Sequence, residues 1–258
     1  FIIQFNHSHT GSGTILIENE SQLEKIKIKF PLRQARIADY ICGPLFTNNN
    51  IVWGKDILLG NISYQITGLS PFTDKAFATV GNDWAVPTKI LTLDQIEQFK
   101  EITKAVAKKM SSSGWKGLFG VDIVLNEDNG KMYLLEINAR QPASTTCESQ
   151  LQEAKQTNIT TFQAHLASLL DLKYNNYQLA TINNGAQIIQ RVTDQINNLE
   201  KTKKSLNDLK LKYIEYTNTK LNSDLLRIQS NKAIMQNHDQ LNKTGEQIKL
   251  CCLKMLQK

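Results

Sequence analysis

An α+β fold built on antiparallel sheets is what the sequence predicts, and three features carry that expectation. Strand-like and helix-like segments alternate along the 258 residues. Two helical segments open on capping boxes. Residues 117–138 read as two strands joined around Asp128-Asn129-Gly130, the composition of a hairpin rather than a crossover. With 41% hydrophobic residues, the chain can bury one large core or two moderate ones.

The elements follow in order. Phe1 to Phe5 are apolar and β-branched enough for a buried strand, and Ile15 to Ile17 read as a second strand after the loop "NHSHTGSGT". Ser21 with Glu24 predicts a short helix from about Gln22. "RIADYICG", "NNIVWG" and "ISYQITG" are strand-like runs separated by turn residues. Thr92 caps a long helix with Gln95 at the third position, and Leu93, Ile96, Phe99, Ile102, Val106 and Met110 form one apolar stripe before "SSSG" stops it. Thr160 to Leu170 is a helix and "GAQIIQRV" a strand. A lysine-rich helix at about 195–210, the strand "KYIEY" and a last helix from about 238 complete the chain.

Charge and cysteine usage narrow the class. Residues 199–258 hold 12 Lys/Arg against 6 Asp/Glu, while residues 1–198 hold 18 of each, so the net charge of +6 lies in the last quarter. Its lysines sit among leucines at helical spacing with few aromatics, which reads as a solvated face and argues against nucleic acid as a partner. No apolar run reaches the ~18 residues of a membrane span. Cys42, Cys147, Cys251 and Cys252 have neither metal spacing nor the density of a disulfide scaffold. A soluble cytoplasmic protein is expected, with no membrane partner.

Two stretches carry chemistry. Gly11 and Gly13 allow backbone N–H groups to wrap an anion, or serve an ordinary hairpin turn. The loop lacks the lysine of a P-loop and the third glycine of a dinucleotide fingerprint. His7 and His9 stand at i and i+2 with no third ligand near in sequence, which suits a loop beside phosphate or solvent better than zinc. In the hairpin, a three-residue loop with Gly130 left-handed sets Asp122 opposite Glu136 and Glu127 opposite Lys131. Val121, Ile123, Leu125, Tyr133, Leu135 and Ile137 then share an apolar face, and Asp122, Glu136, Asn138 and Arg140 the other. Two facing carboxylates repel unless a cation or proton lies between them, and these hard oxygen donors suit Mg²⁺. An exposed polar edge is the alternative.

"GVDIVLNEDNGKMYLLEINARQPAS" closely resembles the metal-binding hairpin of ATP-grasp enzymes, the superfamily of biotin carboxylase and D-alanine:D-alanine ligase. The acid, acid, Asn, Arg series matches Asp122, Glu136, Asn138 and Arg140 in order and spacing. "FIIQFNHSHTGSGT" resembles the strand and loop that close over the nucleotide phosphates, and "IADYICGP" the linker that reads adenine. The resemblance covers most of residues 1–195 and is highly specific only at 120–140. It implies a partial ATP-grasp fold over residues 1–172, with a C-terminal α/β extension at 173–258.

The resemblance also implies sites and an activity. Gln4, His7, Gly11, Ser12, Gly13, Thr14, Asp39, Ile41 and Gln65 would bind the nucleotide, and Asp122, Glu136 and Asn138 would hold Mg²⁺ or Mn²⁺. Arg140 would clamp the transferring phosphoryl group, and Arg191, on "GAQIIQR", would orient a carboxylate. The implied reaction is ATP-dependent activation of a carboxylate as an acyl phosphate, followed by attack of an amine or similar nucleophile. A degenerate ATP-binding or regulatory module, or one part of a split enzyme, is the alternative. Gln4 stands where a phosphate-binding lysine is usual, and Ala38 where an acid often meets the adenine amino group. The front half of the nucleotide fold is expected to lie on a preceding segment or another chain.

Overall fold

The computed structural model describes residues 1–6, 13–193 and 199–254. His7, His9, Gly11 and Ser12 lie outside the described residues. Three strands, β1 (Ile2–Phe5), β2 (Thr14–Leu16) and β3 (Ala35–Ala38), form a small antiparallel sheet with β1 in the middle. Ile3, Phe5 and Ile17 are buried against Leu23 and Ile26 of α1 (Glu20–Lys29). That helix is capped by Asn19, whose extended backbone lets its side chain accept from the Gln22 amide at 3.0 Å. Ser21, the expected cap, falls inside the first turn.

The rest of the chain builds around one nine-stranded antiparallel sheet. Its strands and helices in order are β4 (Leu45–Trp53), β5 (Asp56–Leu58), β6 (Ser63–Thr67), β7 (Thr79–Asp83), α2 (Pro87–Ile90) and α3 (Leu93–Ser112). Then come β8 (Gly117–Leu125), β9 (Met132–Asn138), α4 (Thr145–Glu153), α5 (Thr161–Leu169), β10 (Ala186–Arg191) and α6 (Leu199–Asp208). β11 (Lys212–Glu215), β12 (Asp224–Ser230), β13 (Met235–Asn237), β14 (Gln240–Leu241) and α7 (Lys243–Leu253) follow. The spatial order is β11-β12-β10-β7-β6-β4-β8-β9, with β5 also paired to β4 and β13-β14 a separate hairpin. β10 pairs with both β7 and β12, so the expected boundary at 172/173 runs through a continuous sheet.

Strand alternation gives this sheet two different faces. Phe46, Tyr64, Ile66, Val80, Val121, Ile123, Ile188 and Ile228 bury one face with Phe99 and Val106 of α3, Leu206 of α6 and Ile248 of α7. α3 has the expected cap, with Thr92 and Gln95 bonded reciprocally, but Leu93 at the head of the stripe is 84% exposed. The opposite face carries polar residues over most of its width and a smaller apolar cluster under α5.

Three elements depart from the sequence expectation. α7 begins after Asn242, whose side chain accepts from the Gly245 amide at 3.0 Å, because residues 235–241 form a hairpin where the sequence predicts a helix from about 238. β12 supplies a strand that the sequence pattern conceals. β7 does the same: Gly81 interrupts its apolar alternation, and a Cβ at that position would stand 2.3 Å from the Gln187 carbonyl oxygen, a close approach only glycine accepts.

Candidate active site

The β8–β9 hairpin sets Asp122 directly opposite Glu136, the register expected from the sequence. Gly130 adopts φ 66°, the left-handed conformation its turn requires. The side chain of Asn126 closes this turn by accepting from the Asp128 amide at 2.7 Å. Glu127 therefore sits in the turn rather than opposite Lys131.

A bulge next to the site corrects the expected sorting of faces. Ile123 pairs with Leu134 instead of Leu135, so one extra β9 residue is accommodated beside Glu136. Met132, opposite Leu125, is buried as a result, while Tyr133, expected on the apolar face, is 36% exposed; Ile137 keeps its expected place opposite Val121 and is 42% exposed on this edge strand. The polar group survives this shift because Glu136, Asn138 and Arg140 lie on the far side of the bulge.

Asp122 is buried, accepts a hydrogen bond from Asn138 and has the side chains of Thr47 and Gln65 close enough to favour its charged form. Its distance to the Asn138 amide nitrogen is 3.1 Å, and the Asn138 oxygen accepts from the Arg140 guanidinium at 2.7 Å. Burial pushes the Asp122 carboxyl above the usual range, against the pull of these donors and of the Arg140 charge. Glu136 reaches the same place from a more open position. Its carboxyl is also raised, first by partial burial and then by the charge of Asp122, with Arg140 and Arg36 opposing.

The polar face continues across the sheet. Ser63 donates to the Thr47 carbonyl at 3.4 Å, Asn82 to Ser63 at 3.2 Å and Gln187 to Asn82 at 3.1 Å. Arg227 then donates to Gln187 at 3.3 Å and to the Ala143 carbonyl at 2.8 Å. Beside it lies a cavity of about 270 Å³ lined by Gln141, Pro142, Ala143, Thr146, Ile214, Tyr216, Arg227 and Gln229. Two residues after Asn138, Arg140 leads into this cavity's wall. Gly120 makes room there, since a Cβ would stand 2.8 Å from Pro142.

The structure brings Gln65, Asp122, Glu136, Asn138 and Arg140 together. Gln4 pairs with Thr14 on one side and Arg36 on the other, and Arg36 donates to the Leu135 carbonyl of the large sheet at 3.4 Å. The small sheet therefore overhangs the hairpin. Gly13 is held by its carbonyl, which accepts from the Phe5 amide at 3.0 Å. Asp39 and Ile41 lie in the link between the two sheets. Arg191 is differently placed: its guanidinium is bonded to Asp224 and to the Thr79 carbonyl, the latter at 2.9 Å. Both commitments hold it within the sheet.

Sequence reasoning misses Thr47, Arg36 and Arg227. Thr47 is hidden because "TNNN" reads as a turn, although Phe46 in and Thr47 out is ordinary strand alternation. No signal in β12 marks Arg227.

The acid pair fits a hard divalent cation: both donors are carboxylates, and each is held above its usual proton affinity by burial, Glu136 also by the charge of Asp122. Asn138 stands beside them with its amide nitrogen on Asp122 and its oxygen on Arg140. Among the described residues no group of three His, Cys, Asp or Glu could hold a metal. Magnesium needs only one or two carboxylates when phosphate and water complete its shell. No helix among the described residues is long and apolar enough to cross a membrane.

Solved structures with the same fold were found by comparison. One is carboxyaminoimidazole ribonucleotide synthase from Aspergillus clavatus complexed with ATP, at TM-score 0.70 and 14% identity over 99% of this chain and 63% of that one. Another is N5-carboxyaminoimidazole synthetase from Staphylococcus aureus complexed with ADP, at 0.68 and 14%, covering 99% and 61%. L-amino acid ligase from Bacillus licheniformis matches at 0.62 and 15%, covering 98% and 61%. The chain thus spans just over three fifths of the length of these structures, and at such identities the likeness is one of fold. A comparison with curated protein sequences gives no match. The sequence itself matches the model of the ATP-grasp domain over residues 3–144, more than half of its length. Together with the antiparallel sheets and the acid pair on their hairpin, this match places the chain in the ATP-grasp family.

Proposed function

We propose that this chain carries the nucleotide and metal site of an ATP- and Mg²⁺-dependent ligase that activates a carboxylate as an acyl phosphate for attack by an amine or similar nucleophile. The observation that supports this most is the pairing of Asp122 with Glu136 in a cluster with Asn138 and Arg140. When bound, magnesium would neutralise phosphate charge and orient the γ-phosphoryl group. Asp122 and Glu136 would hold it, with Asn138 alongside to complete the shell once its amide turns from Arg140. Gln65 and Thr47 favour the charged form of Asp122 that such binding needs.

Arg140 is the group we assign to the transferring phosphoryl oxygens, because a forked donor matches such an oxyanion. The substrate carboxylate oxygen would attack the γ-phosphorus as ADP leaves, and the nucleophile would then attack the acyl carbon as phosphate leaves. Gln4, Gly13 and Thr14 of the small sheet would face the nucleotide phosphates, with the loop carrying His7, Gly11 and Ser12, and Asp39 and Ile41 would offer backbone groups to adenine. Arg36 puts a positive charge beside the neutral Gln4. For the acceptor, Arg227 replaces Arg191 in our reading, since Arg227 lines the cavity next to Arg140 while Arg191 is engaged by Asp224. Further protein from a preceding segment or another chain would complete the acceptor pocket.

Gln4 also favours a second reading, a module that holds nucleotide without turnover. Calorimetric titration with MgATP, followed by an assay of ADP and phosphate release against a panel of carboxylates and amines, tests both. Carboxylate-dependent ADP release is expected. Binding without release for any pair would favour the module, and no MgATP binding by the folded chain would sink both.

A further inference from the structure

β11 and β12 show the cavity beside Arg140 a cation framed by apolar groups. Strand alternation sends Leu226 and Ile228 of β12 and Tyr213 of β11 into the core with Leu206 and Ile248. Arg227 and Gln229 therefore point the other way and line the cavity, and Ile214 stands directly opposite Arg227 in the ladder. Core packing does not explain this isoleucine, which is 41% exposed on the side of the sheet away from that core. With Tyr216 two residues on, and Pro142 and Ala143 from the chain after Arg140, it surrounds Arg227 with hydrocarbon. Among the described residues that line the cavity, Arg227 alone is charged.

That cation is firmly held but only partly answered. Nη1 donates to the Ala143 carbonyl at 2.8 Å and to Gln187 at 3.3 Å, and Nη2 reaches Asp224 at a long 3.4 Å. Nε has no acceptor among the described residues, and Asp224 is bonded to Arg191 as well. A guanidinium fixed in orientation with donors to spare is a receptor for a carboxylate. It balances one negative charge. A second carboxylate or a phosphate dianion would press further charge against apolar groups, and an ammonium would meet no carboxylate in the lining. At about 270 Å³ the cavity falls just below the roughly 300 Å³ at which ligand pockets usually begin, so its occupant is small.

We propose, resting on the ligase reading above, that the acid activated here is a small monocarboxylate with an apolar body and no α-ammonium group. Arg227 takes its carboxylate, and Ile214, Tyr216 and Pro142 take its hydrocarbon. Arg140 donates to the carbonyl of Gln141, itself in the cavity wall, at 3.4 Å. The arginine assigned to the phosphoryl group thus stands at the edge of the same cavity.

Calorimetric titration of the full chain, first with MgATP and then with 4-methylpentanoate, leucine and glutarate, tests this. 4-Methylpentanoate is leucine without its amino group. It should bind about tenfold more tightly than leucine or glutarate, or better. Ile214→Asp sets a carboxylate across the ladder from Arg227 and should weaken 4-methylpentanoate binding about tenfold or more. Ile214→Asn, of nearly the same shape without the charge, should lose clearly less. Circular dichroism checks folding, and if Ile214→Asp does not fold, Arg227→Gln takes its place with the same expected loss. No binding of 4-methylpentanoate, leucine or glutarate bound as tightly, or Asp and Asn variants that behave alike, overturns the inference; with MgATP bound in the same experiment, the ligase reading stands. The opposite failure is separate. The expected selectivity in a chain that binds no MgATP overturns the ligase reading and leaves the specificity of the cavity standing.

Discussion

Asp83 and Glu148 are fully buried carboxylates, and Asp122 in the candidate site is nearly so, yet their surroundings differ in kind. Asp83 accepts from the amides of Ala85, Ile234 and Met235, and Glu148 from the side chains of Asn49 and Asn61. Each acid is enclosed by neutral donors. Asp122 has neutral donors as well, but its partner across the ladder is another acid, and the nearby cation, Arg140, is committed to Asn138 and to the Gln141 carbonyl. Full satisfaction marks the structural acids; unresolved repulsion marks the pair to which we assign a ligand.

The sharpest break of this comparison is Glu136→Gln. It should remove the Mg²⁺-dependent part of ATP binding, while the ligand-free melting temperature stays or rises as the repulsion on Asp122 is relieved. MgATP affinity equal to that of the parent chain would end the metal assignment.

Glu148→Gln should act on stability alone. Burial raises the Glu148 carboxyl to about 7 from the ordinary glutamate value of 4.5. The folded state therefore holds its proton more tightly than the unfolded state, and the stability this gives is present below 4.5 and lost as pH rises through 7. At most about 3 kcal/mol is involved. Between roughly pH 5 and pH 8, urea unfolding of the variant should show a smaller loss of stability than that of the parent. An equal loss would mean that Glu148 does not titrate in this window.

A smaller effect separates the arginines. Arg191→Met should cost about 2 kcal/mol by stripping Asp224 of its main partner, with MgATP affinity of the folded protein unchanged. A selective loss of nucleotide or substrate binding would return Arg191 to the site. The smallest effect concerns Gln4→Lys, which should tighten MgATP binding about tenfold, as a charged contact to phosphate is worth roughly 1.5 to 3 kcal/mol. No gain would mean that Arg36 already fills that role or that Gln4 faces elsewhere.

The hairpin is legible in the sequence because its chemistry is local: a short run of residues fixes the turn, and the turn fixes which acids face each other. The capping box of α3 and the strand at 186–191 are legible for the same reason. The bulge beside Glu136 is not, because no residue of the hairpin marks it, and neither is the polar chain from Ser63 to Arg227, which joins four strands far apart in sequence. Arg191 shows the limit most clearly. Its place on a strand can be read locally, but its partner Asp224 lies 33 residues away, beyond any local pattern.

The amides that close on Asp83 have a consequence for how the molecule is made. They belong to residues 151 and 152 positions later in the chain, while Tyr64 donates to Asp239, 175 positions on. During synthesis, β6 and β7 leave the ribosome long before the segment that satisfies them. A nascent chain halted before Ile234 leaves the Asp83 carboxylate with the Ala85 amide alone, and it lacks the α7 residues Ile248, Cys251 and Cys252 that close the apolar face of the sheet. Premature termination thus yields a chain with an under-solvated charge and an uncovered apolar surface, the features by which quality control recognises unfinished protein.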